Sequence, residues 1–239
     1  METKISAGSF DLNKFLFGGY EKDIITTIYG PAGSGKTNFC VIAAASQAKK
    51  GNKVIFMDTE GGFSTERFKQ IVGEDYKEKL KNIFLLKPTN FQEQKSNFNT
   101  LLNEINHNSN ITLIIVDGMT MLYRLELGDA FEQNNEFKIK IVNKELAKQL
   151  RTLAEIARKK QIPIIVTNQI YYKFTQNALE EKQVNMVGGD LLKYWSKCLI
   201  ELENQSGKRK AFLRKHRSLP EKELPFLISN LGIKKRGIF

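Results

Sequence analysis

The feature that most constrains this chain is a glycine-rich stretch, "GPAGSGKT", at residues 30–37. The apolar run before it predicts a strand over residues 24–29, and "KTNFCVIAAASQAKKG" predicts a helix that ends before Gly51. A strand, a glycine-rich loop and a helix in this order match the P-loop pattern, in which backbone N–H groups at a helix N-terminus cradle a phosphate. A chance glycine-rich turn would need neither neighbour, so the sequence predicts a phosphate-binding site.

The loop residues themselves predict a site for ATP and Mg²⁺. Glycine lets the backbone approach a phosphate closely, where a Cβ atom would clash. Lys36 is expected to reach the β- and γ-phosphates, and the hydroxyl of Thr37 to bind Mg²⁺. The candidate nucleotide-binding residues are Gly30, Pro31, Ala32, Gly33, Ser34, Gly35, Lys36, Thr37 and Asn38.

Carboxylates follow two other apolar strands of the predicted sheet. "ITLIIVD" ends in Asp117, which fits the second Mg²⁺ ligand, because ligands of such sheets lie at the carboxyl ends of the strands. Asp58, which ends "KVIFMD", is the alternative for this role, and either aspartate could instead begin a turn. Thr37 and Asp117 are therefore the candidate metal ligands.

Two further polar side chains are candidates for catalysis at the same edge. Glu60 follows Asp58 closely, where it could orient and deprotonate a water in line with the γ-phosphate. Gln169 ends "IPIIVTNQ", where its amide could bond the γ-phosphate or that water and move when the phosphate leaves. Glu60, Lys36 and Gln169 form the candidate catalytic set for ATP hydrolysis.

Helix and strand patterns alternate along the chain. Besides the helix after the P-loop, helices are predicted over 64–72, 91–105 and 135–160. The last strand patterns lie at 198–203, 211–216 and 224–228. We therefore predict an α/β fold with a mostly parallel central sheet flanked by helices, an antiparallel C-terminal strand section, and a single domain over residues 1–239.

The composition and the N-terminal sequence indicate the kind of partner and the cellular compartment. The chain has 239 residues and a formal net charge of +11, which favours polyanionic partners. Its N-terminus lacks a signal-peptide pattern, and no run approaches the roughly 18 apolar residues of a membrane span. Cys40 and Cys198 lie among apolar residues and are expected to be reduced core thiols. We expect a soluble, cytoplasmic protein without a membrane partner.

Several stretches together resemble the RecA-like recombinase ATPases, most closely their archaeal and eukaryotic branch. They are "ISAGSFDLNKFLFGGYEKDIITTIYGPAGSGKT", "MDTEGGFSTERF", "LIIVDG", "IPIIVTNQIYY", "GGDLLKYWSKCLIEL" and "LPEKELPFLISNLGI". The resemblance covers nearly the whole chain and implies a RecA-like P-loop ATPase core. It also implies that Glu60 is the catalytic glutamate and Gln169 the switch glutamine.

The resemblance implies two loops that face DNA, over residues 171–187 and 119–135. The first begins with an aromatic and basic cluster: Tyr171, Tyr172, Lys173 and Phe174. Aromatic rings stack on the bases of single-stranded DNA while a lysine contacts phosphate, although these rings could also pack in a core. The second loop is mostly acidic and offers only Arg124 as a DNA-binding cation.

A basic strand pattern near the C-terminus carries Arg214, Lys215 and Arg217. Because side chains alternate along a strand, Lys215 and Arg217 share a face. In several RecA-like assemblies a similar pair reaches the γ-phosphate of the neighbouring subunit, and this pair could do the same. The residues could instead contact DNA phosphates, or simply protect a solvated edge strand.

The departures from the full recombinases point to a short archaeal paralogue. The P-loop begins too early for their N-terminal helical DNA-binding domain, and the second loop is acidic where theirs is basic. The resemblance then implies weak ATP hydrolysis and binding of single- and double-stranded DNA, in an accessory role in homologous recombination and DNA repair. The implied partners are other recombination proteins, such as a recombinase or a junction resolvase, and a homodimer is one assembly it allows.

Two other functions stay open at this point. One is a RecA-like signalling ATPase of the clock type, which usually carries duplicated domains, whereas one domain is predicted here. The other is a protein-interaction module that binds nucleotide without turnover, and the full set of hydrolysis residues counts against it.

Overall fold

A mostly parallel β-sheet forms the centre of the fold, and the computed structural model describes residues 3–172 and 184–237. The strands are β1 Lys4–Ile5, β2 Tyr20–Glu21, β3 Ile25–Gly30, β4 Lys53–Asp58, β5 Ile83–Leu86, β6 Ile111–Asp117, β7 Ile164–Tyr172, β8 Val184–Met186, β9 Ser196–Gln205, β10 Lys208–His216, β11 Lys222–Ser229 and β12 Gly232–Lys235. The helices are α1 Phe10–Phe15, α2 Lys36–Lys49, α3 Thr65–Val72, α4 Tyr76–Leu80, α5 Phe91–His107, α6 Met121–Glu132, α7 Glu136–Lys160 and α8 Gly189–Trp195. No helix within these two ranges is both long enough and apolar enough to cross a membrane.

The order of the main sheet is β12-β11-β10-β9-β3-β7-β6-β4-β5, with β8 paired to β7 and a separate β1-β2 pair. From β9 to β5 the neighbouring strands pair in parallel. The strands from β9 to β12 pair antiparallel. The predicted α/β class, with a mostly parallel sheet and an antiparallel C-terminal section, is therefore confirmed.

Two apolar layers cover the parallel strands. On one face α2 contributes Phe39, which packs in one core with Phe56 and Ile115 of the sheet. On the other face α5 and α7 contribute Leu101 and Leu150. Because successive strand residues face opposite layers, a strand covered on both faces is apolar at nearly every position. The continuous apolar runs in the sequence are thus explained by cover on both sides.

Two predicted helices begin directly after a capping side chain, which is the first residue of each predicted range. Ser64 Oγ accepts a hydrogen bond from the N–H of Arg67 at 3.1 Å, and α3 follows directly. Asn135 Oδ1 accepts from the N–H of Lys138 at 2.9 Å, and α7 follows it. Each cap satisfies a backbone donor that the first turn leaves without a partner.

Residues 119–135, which the resemblance implied to be a DNA-facing loop, are mostly helical instead. They form α6, which packs beside α7 and buries Leu122, Tyr123 and Ala130. Leu122 and Tyr123 are adjacent and Ala130 follows about two turns later, so the three lie on one side of the helix. Burial of that side stabilises a helix over an open loop.

The antiparallel section is fixed to the core through Phe226. This β11 side chain is fully buried, and its ring meets Phe39 edge-on with centroids 5.4 Å apart. We expect Phe226→Ala to lower the free energy of unfolding by about 3–5 kcal/mol, because lost apolar contacts and a cavity both contribute. Leu227→Ala, at the adjacent and 44% exposed position, is the control and should cost about 1 kcal/mol or less. Urea denaturation measures both, and equal losses would contradict this assignment.

Candidate active site

The P-loop connects β3 to α2, and its shape depends on glycine. Gly35 adopts a φ of 109°, in the left-handed region, directly before α2 begins. A Cβ atom at this position would also lie 3.1 Å from Ile228 Cδ1 of β11. Glycine therefore serves both the backbone turn and the close packing of β11. The turn leaves the first N–H groups of α2 at the mouth of the loop, as an anion site requires.

Lys36 lies inside the loop that precedes it. Its ammonium donates to the carbonyl oxygens of Gly30 at 3.0 Å and Pro31 at 2.9 Å. Burial lowers the pKa of Lys36, while the negative charges of Glu60 and Asp117 oppose this change. The positive charge is thus held where the predicted phosphate would lie.

Asp117 ends β6 and is almost fully buried. Burial raises the pKa of its carboxyl to about 6, while the hydroxyls of Thr167 and Thr37 act in the opposite direction. Thr167 donates to Oδ1 at 2.6 Å. Oδ2 is buried and has no hydrogen-bond partner within the described part of the chain. Thr37 therefore lies near enough to lower the pKa of the carboxyl but makes no hydrogen bond to Oδ2. A cation would supply the missing partner, and an unpartnered buried acceptor is otherwise unfavourable.

The oxygen atoms at this point fit Mg²⁺. The position of a Cβ atom built on Gly62 lies 3.1 Å from Thr37 Oγ1 and 3.5 Å from Asp117 Oδ2, so the two predicted metal ligands border one space. Hydroxyl and carboxylate oxygens are the hard donors that Mg²⁺ binds. No group of three or more His, Cys, Asp or Glu side chains suited to a metal ion occurs in residues 3–172 and 184–237. Few protein ligands are expected where substrate phosphates and waters complete the coordination.

Asp58, the alternative metal ligand, has both carboxylate oxygens engaged. Oδ1 accepts from the N–H of Gly62 at 3.0 Å, and Oδ2 accepts from the N–H of Phe63 at 2.9 Å. These bonds close the turn after β4, which carries Glu60. The geometry therefore favours the turn role for Asp58 and the metal role for Asp117.

Glu60 and Gln169 meet at the ends of β4 and β7. Gln169 Nε2 donates to Glu60 Oε2 at 2.8 Å. Among the atoms described, Glu60 Oε1 is buried without a partner. Gly118 makes room for this arrangement, because a Cβ atom there would lie 2.3 Å from Thr59 Oγ1 and 2.8 Å from Glu60 Cγ. One carboxylate oxygen of Glu60 is thus oriented by the amide, and the other makes no hydrogen bond within the described residues.

A pocket of about 250 Å³ joins these groups. Its wall contains Ala32, Gly33, Gly35, Lys36, Thr37, Asn38, Glu60, Gln169, Arg209 and Ile228. All three candidate catalytic residues therefore share one wall with most of the predicted P-loop. Gly30 and Pro31 hold the ammonium of Lys36 instead of lining the pocket, and Ser34 is fully buried.

Three residues of the site were not predicted to belong to it. Thr167 donates to Asp117 and accepts from the N–H of Gly118 at 2.7 Å. It directly follows the apolar part of β7, and no sequence pattern distinguishes it. Arg209 and Ile228 come from β10 and β11, and no local pattern indicates that these distant strands pack on the P-loop.

The residues predicted to contact DNA are only partly described. The backbones of Tyr171 and Tyr172 end β7 and pair with β8, whereas Lys173 and Phe174 lie outside the described residues. Arg124 lies on α6 and lines a small recess together with Glu60 and Gln169. DNA contact by these residues stays a prediction.

The basic residues at the end of β10 lie at the sheet end opposite the P-loop, since β10 runs antiparallel to β9 and β9 parallel to β3. Arg217 binds both carboxylate oxygens of Asp23, at 2.6 and 2.7 Å. Lys215 donates to a backbone carbonyl of α8 at 2.7 Å, and Arg214 Nε donates to Glu201 at 2.6 Å. A contact with DNA or with a neighbouring subunit would have to replace these bonds, and both roles stay predictions.

The sheet, the P-loop and the polar edge define a RecA-like P-loop protein. A family model described as Rad51 matches residues 2–236. The chain belongs to the Rad51 family.

Its relatives within the family include RadB proteins of archaea. The chain is 41% identical over 226 residues to "DNA repair and recombination protein RadB" of Methanobrevibacter smithii, which covers 93% of this chain and 92% of the relative. Identity to the protein of the same description from Methanocaldococcus jannaschii is 42% over 222 residues, covering 93% and 98%. The "Crystal structure of the RadB recombinase" matches with a TM-score of 0.75 and 32% identity, over 97% of this chain and 99% of that one.

The close packing at Gly118 gives a test of the site's architecture. Gly118→Ala places a Cβ atom against Thr59 and Glu60 at a φ of 89°, whereas Gly51→Ala imposes a similar φ of 80° with nothing within 4 Å. The left-handed backbone should cost each variant about 1–2 kcal/mol of unfolding free energy. We expect Gly118→Ala to lose about a further 1–3 kcal/mol through overpacking, as measured by urea denaturation. Equal losses in the two variants would show that Glu60 and Thr59 are not held against Gly118.

Proposed function

We propose that this protein binds ATP and DNA and hydrolyses ATP weakly, in an accessory role in homologous recombination and DNA repair. Membership of the Rad51 family and the RadB relatives support the recombination role. The observation that carries the ATPase proposal is the hydrogen bond from Gln169 to Glu60 in the wall of the P-loop pocket. It brings a carboxylate and an amide from two strand ends to the side of the pocket that faces Lys36.

In the proposed reaction, Glu60 is the general base. Its Oε2 is oriented by Gln169, and its Oε1 accepts a proton from a water that attacks the γ-phosphate. Lys36 and the N–H groups of the P-loop stabilise the negative charge that develops on the phosphate oxygens. Mg²⁺, held by Thr37 and Asp117, would supply further charge neutralisation at the β- and γ-phosphates.

Two contacts are consistent with slow turnover. Lys36 is bonded to two carbonyls of its own loop, and Glu60 is bonded to Gln169. The ammonium of Lys36 must exchange these carbonyl bonds for contacts with phosphate before hydrolysis, whereas Glu60 keeps its bond to Gln169 while Oε1 accepts the proton. Gln169 is the residue through which the nucleotide state would reach the end of β7 and the DNA-facing segment that follows.

The DNA-binding part of the proposal is supported by charge and by relatives. The formal net charge is +11, and the RadB relatives carry DNA repair and recombination in their descriptions. Backbone phosphates supply most sequence-independent affinity for DNA. Further proposed partners are other recombination proteins, among them a recombinase or a junction resolvase.

If Glu60 is the general base, its substitution should lower the rate of ATP hydrolysis and leave the affinity for ATP nearly unchanged. We expect Glu60→Gln to retain ATP binding within about threefold and to lower the hydrolysis rate by about 10²-fold or more, because general base catalysis is removed. Single-turnover phosphate release and calorimetric titration with ATP measure the two effects.

Glu74→Gln is the matched control for this test. It removes the same charge from an exposed residue outside the pocket and should leave both quantities unchanged. Hydrolysis that persists at the wild-type rate in Glu60→Gln would remove Glu60 from the mechanism.

The DNA contact predicts a salt dependence. If Lys173 binds a phosphate, Lys173→Ala should weaken binding of a single-stranded oligonucleotide and reduce the slope of log affinity against log salt by about 0.7. Lys53→Ala removes the same charge from an exposed residue at the amino end of β4 and should leave the slope unchanged. Fluorescence anisotropy over a salt series measures both, and identical slopes for both variants would argue against Lys173.

A further inference from the structure

Arg209 is a second cation in the wall of the nucleotide pocket. Among the described residues that line this pocket, Lys36 and Arg209 carry positive charge and Glu60 carries negative charge. We propose that Arg209, from β10 of the same chain, binds the phosphate groups of the nucleotide. This inference rests on the proposed nucleotide site and adds to it a residue that the P-loop pattern does not include.

Arg209 reaches the backbone of the P-loop. Its Nη2 lies 3.5 Å from the carbonyl oxygen of Gly33, at the outer limit of a hydrogen bond. Its Nε is buried and has no hydrogen-bond partner within residues 3–172 and 184–237. A buried guanidinium nitrogen without an acceptor is unfavourable, and a phosphate oxygen bound in the loop would satisfy it.

The β9–β10 hairpin holds Arg209 at this place. Asn204 pairs with Arg209 across the hairpin. Its Nδ2 donates to the carbonyl oxygen of Gly33 at 3.2 Å, and its Oδ1 accepts from the N–H of Gly207 at 3.1 Å. Asn204 therefore ties the hairpin turn to the P-loop. Arg209 is positioned before a nucleotide binds, which reduces the entropy lost on binding.

The chemistry of the guanidinium group favours phosphate as its ligand. Its planar set of donors matches phosphate oxygens, and it stays charged at any physiological pH. The P-loop wraps phosphate groups with its backbone, and Arg209 lies against Gly33 of that loop. A nucleotide polyphosphate carries several negative charges. Because Lys36 donates to the carbonyls of Gly30 and Pro31, Arg209 supplies a second cation for these charges on the Gly33 side of the loop.

Lys210 provides a matched control on the same strand. Its ammonium lies 3.1 Å from Glu223 Oε2 on the surface, and it does not line the pocket. Lys210→Gln therefore removes one positive charge beside Arg209 without changing the pocket wall. An exposed ion pair of this kind contributes little to stability.

The test is the binding of a fluorescent ADP derivative, N-methylanthraniloyl-ADP, to the full chain. We expect Arg209→Gln to raise the Kd about 10- to 100-fold, the value of one charge-assisted hydrogen bond or more. Arg209→Lys keeps the charge without the planar donors and should fall between wild type and Arg209→Gln. Lys210→Gln should match wild type. An unchanged Kd in Arg209→Gln would overturn the proposal.

Competition separates a phosphate contact from a general distortion of the pocket. Arg209→Gln should weaken displacement of the probe by inorganic pyrophosphate and leave displacement by adenosine unchanged. Equal weakening of both competitors would overturn the proposal, because it marks a structural effect. If Arg209→Gln fails to fold by circular dichroism, Arg209→Lys is subjected to the same comparison, with the same two outcomes.

The same titration keeps this inference distinct from the function on which it rests. Wild-type protein that does not bind the probe would overturn both the nucleotide site and the role of Arg209. Wild-type and Arg209→Gln proteins that bind equally well would overturn only the role of Arg209.

Discussion

The site depends on the register of the parallel strands. Gly30 is paired with Gln169 between β3 and β7, and Asp58 is paired with Asp117 between β4 and β6. These pairings bring four strand ends to one edge. The P-loop and the Glu60–Gln169 pair line one pocket there, and the buried Asp117 lies close to Thr37 of its wall. A shift of one residue in any pair would turn a strand's side chains to the opposite face. Both faces of these strands are apolar, so polarity does not distinguish them. The close packing of particular side chains against each helical layer opposes such a shift.

The charges at this edge are arranged to favour a charged ligand. Burial raises the pKa of Asp117 to about 6 and lowers the pKa of Lys36, so each charged form is disfavoured by the same environment. Asp117 Oδ2 and Glu60 Oε1 have no partners within the described residues. Buried polar groups without hydrogen-bond partners lower the free energy of unfolding. A magnesium nucleotide would satisfy both signs of charge at once, which is why such perturbed groups mark functional sites.

Features that depend on residues close together in the chain could be predicted from the sequence. Features that depend on contacts between distant segments could not. The P-loop, the Ser64 cap and the doubly buried strands depend on residues close in sequence, and their patterns were sufficient. The helix α6 was missed, because the resemblance implied a loop over residues 119–135, and the packing of α6 against α7 is visible only in the fold. Arg209 was missed for a similar reason. Its basic stretch was visible in the sequence, but only the fold shows that Asn204 ties this one arginine to Gly33.

The two ends of β10 differ in what they can contribute. Arg209 lies against the P-loop, whereas Arg217, just beyond the strand, is bonded to Asp23 at the opposite end of the sheet. A register irregularity between Leu213 and Lys215 interrupts the ladder with β9 between these ends. Such bulges bend a strand locally and disrupt its hydrogen bonds. Lys215 and Arg217 therefore lie beyond this irregularity from the nucleotide pocket, and a contact with DNA or with a second subunit would have to replace the bonds that they make there.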